Sequence, residues 1–228
     1  MTRYRWLKAE WPMTARSLGK RIRQQEFTEG RASGFILDRV RDESLEARFV
    51  ERYEYTETVL DPYGKELTFD RLEFRQTAFR ATPGWPGLEL LDAPRSVQSL
   101  VSGLLDACNF ELSVSPIEVD VLTWVDEFQR ALGAEAVIDS LQVAALMVAE
   151  GVKAKVLLQG ERDVRTAYKE LVRGRKHVVE KLQLRVTAGG ARTTVVFTGG
   201  GGARVDGVDV PGEMVQHLRA SLPQPPLA

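Results

Sequence analysis

The chain has 228 residues, 43% of them apolar and 28% charged, with 31 Lys and Arg against 32 Asp and Glu and a single cysteine. This is the make-up of an ordinary globular protein that can bury a core, as one large domain or two small ones. It excludes whole-molecule attraction to nucleic acid or anionic lipid, an intramolecular disulfide and a thiolate metal cluster.

The neutral total hides an asymmetry. Residues 101–150 carry nine acids and one base, Arg130, whereas residues 162–185 carry eight bases and three acids. Such a division permits electrostatic steering or self-association, and it also describes two solvated faces that merely differ. Met1-Thr2-Arg3-Tyr4-Arg5-Trp6 is charged where a secretory leader would be apolar, and no apolar run approaches the ~20 residues that span a bilayer. With one cysteine, this leads to the expectation of a cytoplasmic protein with no membrane contact.

In chain order, residues 4–11 suit a short strand and residues 14–25 a helix, against which Gly19 counts. Phe35-Ile36-Leu37 opens a strand. Residues 45–60 alternate, with Leu45, Ala47, Phe49, Tyr53, Tyr55 and Val59 on one face. Asp61-Pro62-Tyr63-Gly64 is a turn, and residues 66–81 return. Leu67 and Phe69 share one parity while Leu72 and Phe74 share the other, which predicts a bulge near Asp70-Arg71. Residues 81–87 form a loop. A helix then begins near Pro94, with the stripe Val97, Leu100, Val101, Leu104, Leu105 and Cys108, so the thiol is expected in a core. Phe110, Leu112 and Val114 alternate as a strand ending at Pro116. Val121, Trp124, Val125, Phe128 and Leu132 form a helix stripe capped by Gly133.

A domain boundary is expected at 133. Beyond it, residues 141–148 and 152–158 read as a hairpin about Glu150-Gly151, with a helix over 137–149 as the rival. A helix over 162–173 follows. Residues 182–186 and 192–197 pair about Ala188-Gly189-Gly190, and a last helix spans 211–222 with Pro211 in its first turn. The expected fold is therefore α+β: an N-terminal antiparallel β-sheet with packed helices (1–133), a smaller ββαββα module (134–222) and a Pro-rich tail (223–228).

No catalytic constellation is legible. His177 and His217 have no ligating neighbours at short spacing, and there is no G-x-S-x-G elbow and no (D/E)-x-K pair. Gly199-Gly200-Gly201-Gly202 fits neither a P-loop nor a dinucleotide fingerprint, and reads as a hairpin tip. Glu118 and Asp120, two apart on a strand, would share a face. That is either a pair for a divalent cation or a solvent face. No cofactor is expected.

The sharpest feature is the helix over 162–173. Val164, Ala167, Tyr168, Leu171 and Val172 form its apolar side. Arg162, Arg165, Lys169 and Arg173 fall in an opposite stripe about 16 Å long, which Arg175, Lys176 and His177 extend beyond Gly174. Arg165–Lys169 and Lys169–Arg173 are like-charge i,i+4 pairs, which cost stability unless a partner neutralises them. A solvated helix face is the bland alternative. The leading expectation is a non-catalytic binding or assembly subunit. In it Arg162, Arg165, Lys169, Arg173, Arg175 and Lys176 meet an acidic protein surface, another copy's residues 101–150 included, or nucleic-acid backbone. The alternatives are sequence-nonspecific nucleic-acid binding and a divalent-metal enzyme using scattered carboxylates such as Glu118 and Asp120.

Overall fold

The computed structural model describes residues 1–188, 191–207 and 212–224. These form β1 (Thr2–Glu10), α1 (Ala15–Gln24), β2 (Ser33–Val40), β3 (Leu45–Leu60), β4 (Glu66–Ala81), β5 (Gly87–Leu91), α2 (Gln98–Ala107), β6 (Ser113–Pro116), α3 (Val121–Leu132), β7 (Glu135–Ala149), β8 (Val152–Gln159), α4 (Arg165–Val172), β9 (Val178–Ala188), β10 (Ala191–Thr198), β11 (Gly202–Asp206) and α5 (Gly212–Ala220). Expectations for Pro211, for Gly189-Gly190 and for tail residues 225–228 lie outside the described residues.

The strands join in the order β2-β3-β4-β5-β1-β11-β10-β9-β7-β8, with β6 paired to β1. This corrects the expected fold. The described residues form a large antiparallel sheet of eleven strands with five short helices, and residues 134–222 are not a separate ββαββα module. Their order is ββαβββα, and β11 was missed. It is five residues long, opens on glycine and alternates only two apolar residues, Ala203 and Val205, too little for a periodic signal. Pairing with β10 on one side and β1 on the other makes it a strand. The chain divides into two compact units, Ala9–Val114 and Met1–Lys8 with Ser115–Ala228.

In the Ala9–Val114 unit, Thr14 caps α1 by accepting from the Ser17 amide. The helix buries Leu18 and Ile22. Gly19 is no breaker here, because a Cβ at that position would lie 3.0 Å from Val40 Cγ2. It is small because the helix lies against β2. The core is the cluster of Phe35, Phe49 and Phe79, with ring centroids 5.0 and 6.0 Å from Phe35. A Cβ at Gly103 would approach Phe49 and Phe35 at 3.1 and 3.2 Å, so α2 rests directly on the rings. Cys108 is buried, and that burial pushes its thiol pKa up. One strand expectation fails here, and one strand had no expectation. Asn109 and Phe110 take positive φ in a tight turn, leaving Phe110 exposed and starting β6 only at Ser113. β5, which buries Leu88 and Leu90, follows the Pro-Gly loop and was not read from sequence.

In the second unit the core is built on Trp6, Trp124, Phe128 and Phe197, all fully buried. The ring of Trp124 meets Trp6 edge-on at 5.7 Å and Phe197 at 5.0 Å, and its indole N–H donates to the Leu218 carbonyl at 3.1 Å. That bond satisfies the one polar atom the ring buries. β7 settles the helix-or-strand question for residues 137–149 in favour of the strand. Its buried residues Ile138, Leu141, Val143 and Leu146 fall at steps of three, two and three because register shifts interrupt the pairing with β8 and β9. Each extra residue moves the apolar set to the other parity and imitates helical spacing.

Candidate functional site

The predicted basic helix exists, but shorter, as α4. Arg162 precedes it, Arg173 is its C-cap residue and Gly174, at φ +70°, follows. Val164 and Tyr168 anchor its inner side. Arg165 is not free. Its guanidinium lies on Asp163 at 2.9 Å and reaches Asp126 at 3.5 Å. Asp163 also accepts from the Arg165 amide at 2.9 Å and the Ile138 amide at 3.4 Å. Burial pushes the Asp163 carboxyl up, but the bonds and charge of Arg165 outweigh this and hold it below the usual aspartate range. Arg175 turns back to donate to the Leu171 carbonyl at 3.2 Å, closing the helix C-terminus. Arg162, Lys169, Arg173 and Lys176 stay exposed, with no ion pair among the described residues. The acidic and basic stretches thus already meet within the chain, through Asp126 and Arg165 and through Asp139 and Arg185 at 3.8 Å.

Beside α4 lies a cleft of about 730 Å³ that gathers several singled-out residues: Glu118, Asp120, His177, Gly199 and Gly200, with Tyr168 and Glu180. Residues 117–120 are not a strand, so the expected shared face of Glu118 and Asp120 does not exist. Asp120 is the N-cap of α3 and accepts from the Thr123 amide at 2.7 Å. His177 Nδ1 lies 2.8 Å from the Arg175 carbonyl, which can only accept, so Nδ1 carries the proton. Nε2 is then the acceptor for the Tyr168 hydroxyl at 2.7 Å. Burial, and secondarily the Asp120 charge, pushes the Tyr168 phenol up. Lys155 and Gln142 hydrogen-bond Glu180 and hold its carboxyl below the usual range. Asp120, His177, Tyr168 and Glu180 are thus each tied into the fold by their side chains. Among the described residues no three His, Cys, Asp and Glu side chains group to hold a metal.

The glycine run is a hairpin tip between β10 and β11. The Gly199 amide donates to the Glu180 carbonyl at 3.0 Å, and the Gly199 carbonyl accepts from Val119 at 2.9 Å. Gly201 sits at φ +65°, where a Cβ would approach Ile117 at 3.0 Å. Its positive φ and its contact with Ile117 require glycine at 201, whereas a Cβ at Gly200 would meet nothing within 4 Å.

The feature that sequence reasoning missed is the outer part of the β3–β4 hairpin. The register runs unbroken from Leu45↔Ala81 to Leu60↔Glu66, so the predicted bulge at Asp70-Arg71 is absent. β2 covers the edge of β3 only as far as Glu51, and β5 covers β4 only from Ala78. Beyond these limits two strands project for roughly 26 Å, at ~3.3 Å per residue. Both parities carry apolar residues because neither face is buried: Tyr55, Val59, Leu67 and Phe69 lie on one, Leu60, Leu72 and Phe74 on the other, and all are exposed. The turn is well built. Asp61 accepts from the amides of Tyr63 and Lys65 at 2.8 Å, and Gly64 takes φ +83°. Cross-strand groups hold the ribbon. Arg71 pairs with Glu57 at 2.7 Å and lies over the Phe69 ring, and Arg75 lies 4.3 Å over the Tyr53 ring. The legible signal was the parity conflict itself, which marks a ribbon with no covered face as well as it marks a bulge.

No family model matches the chain, and no curated protein matches it in sequence. Among the described residues no helix is long and apolar enough to cross a membrane.

Proposed function

We propose that the chain is a non-catalytic binding or assembly subunit that engages its partner through the projecting β3–β4 arm, with the exposed bases around α4 as a second contact surface. The observation that carries this reading is the arm: a ribbon with free edges that places Tyr55, Val59, Leu67 and Phe69 together in solvent on one face. A two-stranded hairpin is marginal in water, and exposed apolar clusters with unpaired strand edges are the means by which proteins add a strand or dock a face. The cleft beside α4 offers less, since its polar groups already serve capping and ion pairing.

The test is a photo-crosslinking residue at Tyr63, which is 94% exposed at the arm's tip, in cells that make the chain. Discrete adducts are expected, and they disappear when Tyr55, Leu67 and Phe69 are replaced together by Thr. A chain that forms no adduct, or adducts indifferent to those replacements, sinks the reading.

A second reading, sequence-nonspecific contact with nucleic-acid backbone, rests on Arg162, Lys169, Arg173 and Lys176 being exposed without ion pairs among the described residues. Lys169→Glu with Arg173→Glu is then expected to weaken duplex binding for every sequence and to flatten its salt dependence. Unchanged affinity removes it.

A further inference from the structure

The sheet of the second unit has two unlike faces. On one, Phe197 packs against Trp124 and Phe128 of α3, and Leu182, its partner on β9, is fully buried. The register defines the other. Arg3, Arg204, Val196 and Gln183 stand in one row across β1, β11, β10 and β9, and Arg5, Gly202, Thr198 and Lys181 stand in the next. Asp206, Thr194 and Arg185 form a third row, and Arg192 with Thr187 a fourth. These rows hold six bases and one acid. The net charge of −1 conceals them, because it sums over the whole chain.

The arrangement costs the fold stability. Arg3 lies directly opposite Arg204, and like charges opposite one another on a ladder are destabilising. The Arg204 Nε is buried with no hydrogen-bond partner among the described residues. Arg5, Lys181, Arg192 and Arg204 form no ion pair among the described residues, whereas Arg185 reaches Asp139 at 3.8 Å. The face is open: Arg3, Lys181, Arg192 and Asp206 are exposed on it. Such a surface complements an anion.

What lies between the bases decides the kind of anion. The one apolar side chain in these rows is Val196, 3% exposed, and there is no aromatic. A protein partner would find no apolar anchor, a membrane no residue to insert, and a single strand no ring on which to stack its bases. Thr194 offers a hydroxyl, and Gln183 an amide that gives one N–H to Asp139 at 3.1 Å and keeps another. Hydroxyls and amides join Arg and Lys in contacts to phosphate and sugar. Arg5 and Lys181 close the two ends of one row, three strand spacings or roughly 14 Å apart at ~4.8 Å each. The phosphates flanking a duplex major groove, ~12 Å wide, lie at that scale.

We infer that this open face of β1, β11, β10 and β9 binds the phosphate backbone of duplex nucleic acid without regard to base sequence. Arg5, Arg204, Lys181 and Arg192 supply the charge. The arm takes no part, and the surface is distinct from the bases of α4.

The experiment is fluorescence anisotropy of a labelled mixed-sequence duplex titrated with the purified full chain over a range of salt. The wild type is expected to bind, with affinity falling steeply as salt rises. Arg5→Gln with Arg204→Gln is expected to weaken binding about tenfold or more and to lower the salt slope by ~0.9 for each base that meets a phosphate. Arg5→Lys with Arg204→Lys keeps most of the affinity, because a phosphate contact needs the charge. Lys181→Gln with Arg192→Gln is the variant safest for the fold, since neither side chain is bonded among the described residues; it is expected to lower affinity and slope in the same way. No duplex binding by the wild type at low salt overturns the inference, and so does affinity that both glutamine pairs leave unchanged. If Lys169→Glu with Arg173→Glu then lowers it, the α4 reading stands alone. Loss in the glutamine pairs with the α4 variant unaffected supports the face and removes α4. Uptake by phosphatidylserine vesicles without duplex binding overturns nucleic acid as the occupant. Displacement of the duplex by polyglutamate at equal charge overturns phosphate as the group recognised.

Discussion

Phe49 and Phe69 lie on one face of the same two-stranded ladder, yet Phe49 is 3% exposed and Phe69 45%. Their local sequence settings are alike: alternating strands, aromatic neighbours, flanking Glu and Arg. The difference lies in what is placed above them. Over Phe49 stands α2 at Gly103, with the Phe35 ring beside it on the next strand. Over Phe69 lies the Arg71 guanidinium, 5.7 Å from the ring centroid, and the residue stays 45% exposed. Periodicity tells which side of a strand a residue takes, and a second layer decides whether that side is a core.

Substitutions at four positions probe this contrast. The largest effect is expected at Phe49. Phe49→Ala removes a packed ring and costs about 3–5 kcal/mol of unfolding free energy, whereas Phe69→Ala stays within about 0.5 kcal/mol. Denaturant unfolding of the two variants measures the difference. Equal losses would mean that the arm is packed against something in solution.

Asp120 sharpens the contrast, since an exposed residue that closes a hydrogen bond still carries stability. Asp120→Ala is expected to cost about 1 kcal/mol through the lost α3 cap, and Asp120→Asn far less. Thermal unfolding with and without Mg²⁺ or Mn²⁺ reads both roles. A metal-induced rise in Tm that Asp120→Ala abolishes would replace the capping role with a metal one.

The smallest effect is expected at Asp163. Its folded pKa lies below the unfolded value, so its contribution is fully present above the ordinary aspartate pKa of ~3.9 and is lost as pH falls through the folded value. Hydrogen-exchange protection at the start of α4, taken relative to the unstructured chain at each pH, is expected to fall in that acid window in the wild type. Asp163→Asn removes that fall. A wild type whose protection there is unchanged with pH would show that the Arg165 pair does not hold the helix.

Several local elements were legible because local chemistry is sufficient for them, although the fold class was not. The alternation of residues 45–60, the Asp61–Gly64 turn, the α3 stripe with its Gly133 cap and the buried Cys108 all follow from spacing and side-chain type. Of the candidate sites, the sequence located the basic segment but drew it too regular. Asp126 lies 39 positions before Arg165, and no window along the chain reveals their ion pair. His177, Tyr168, Asp120 and the glycine run likewise meet only through the fold.

The sequence by itself determined the elements whose signals repeat within a few residues, since a strand or helix face is set by side-chain direction along the backbone. Tertiary structure alone decided three matters. It made residues 202–206 a strand by giving them partners on both sides. It interrupted β7 with register shifts, so that buried residues fell at helical spacing. And it left the outer half of β3–β4 without a cover, so that apolar residues of both parities face water. In each case the deciding group comes from a distant part of the chain, and burial depends on where that part lies.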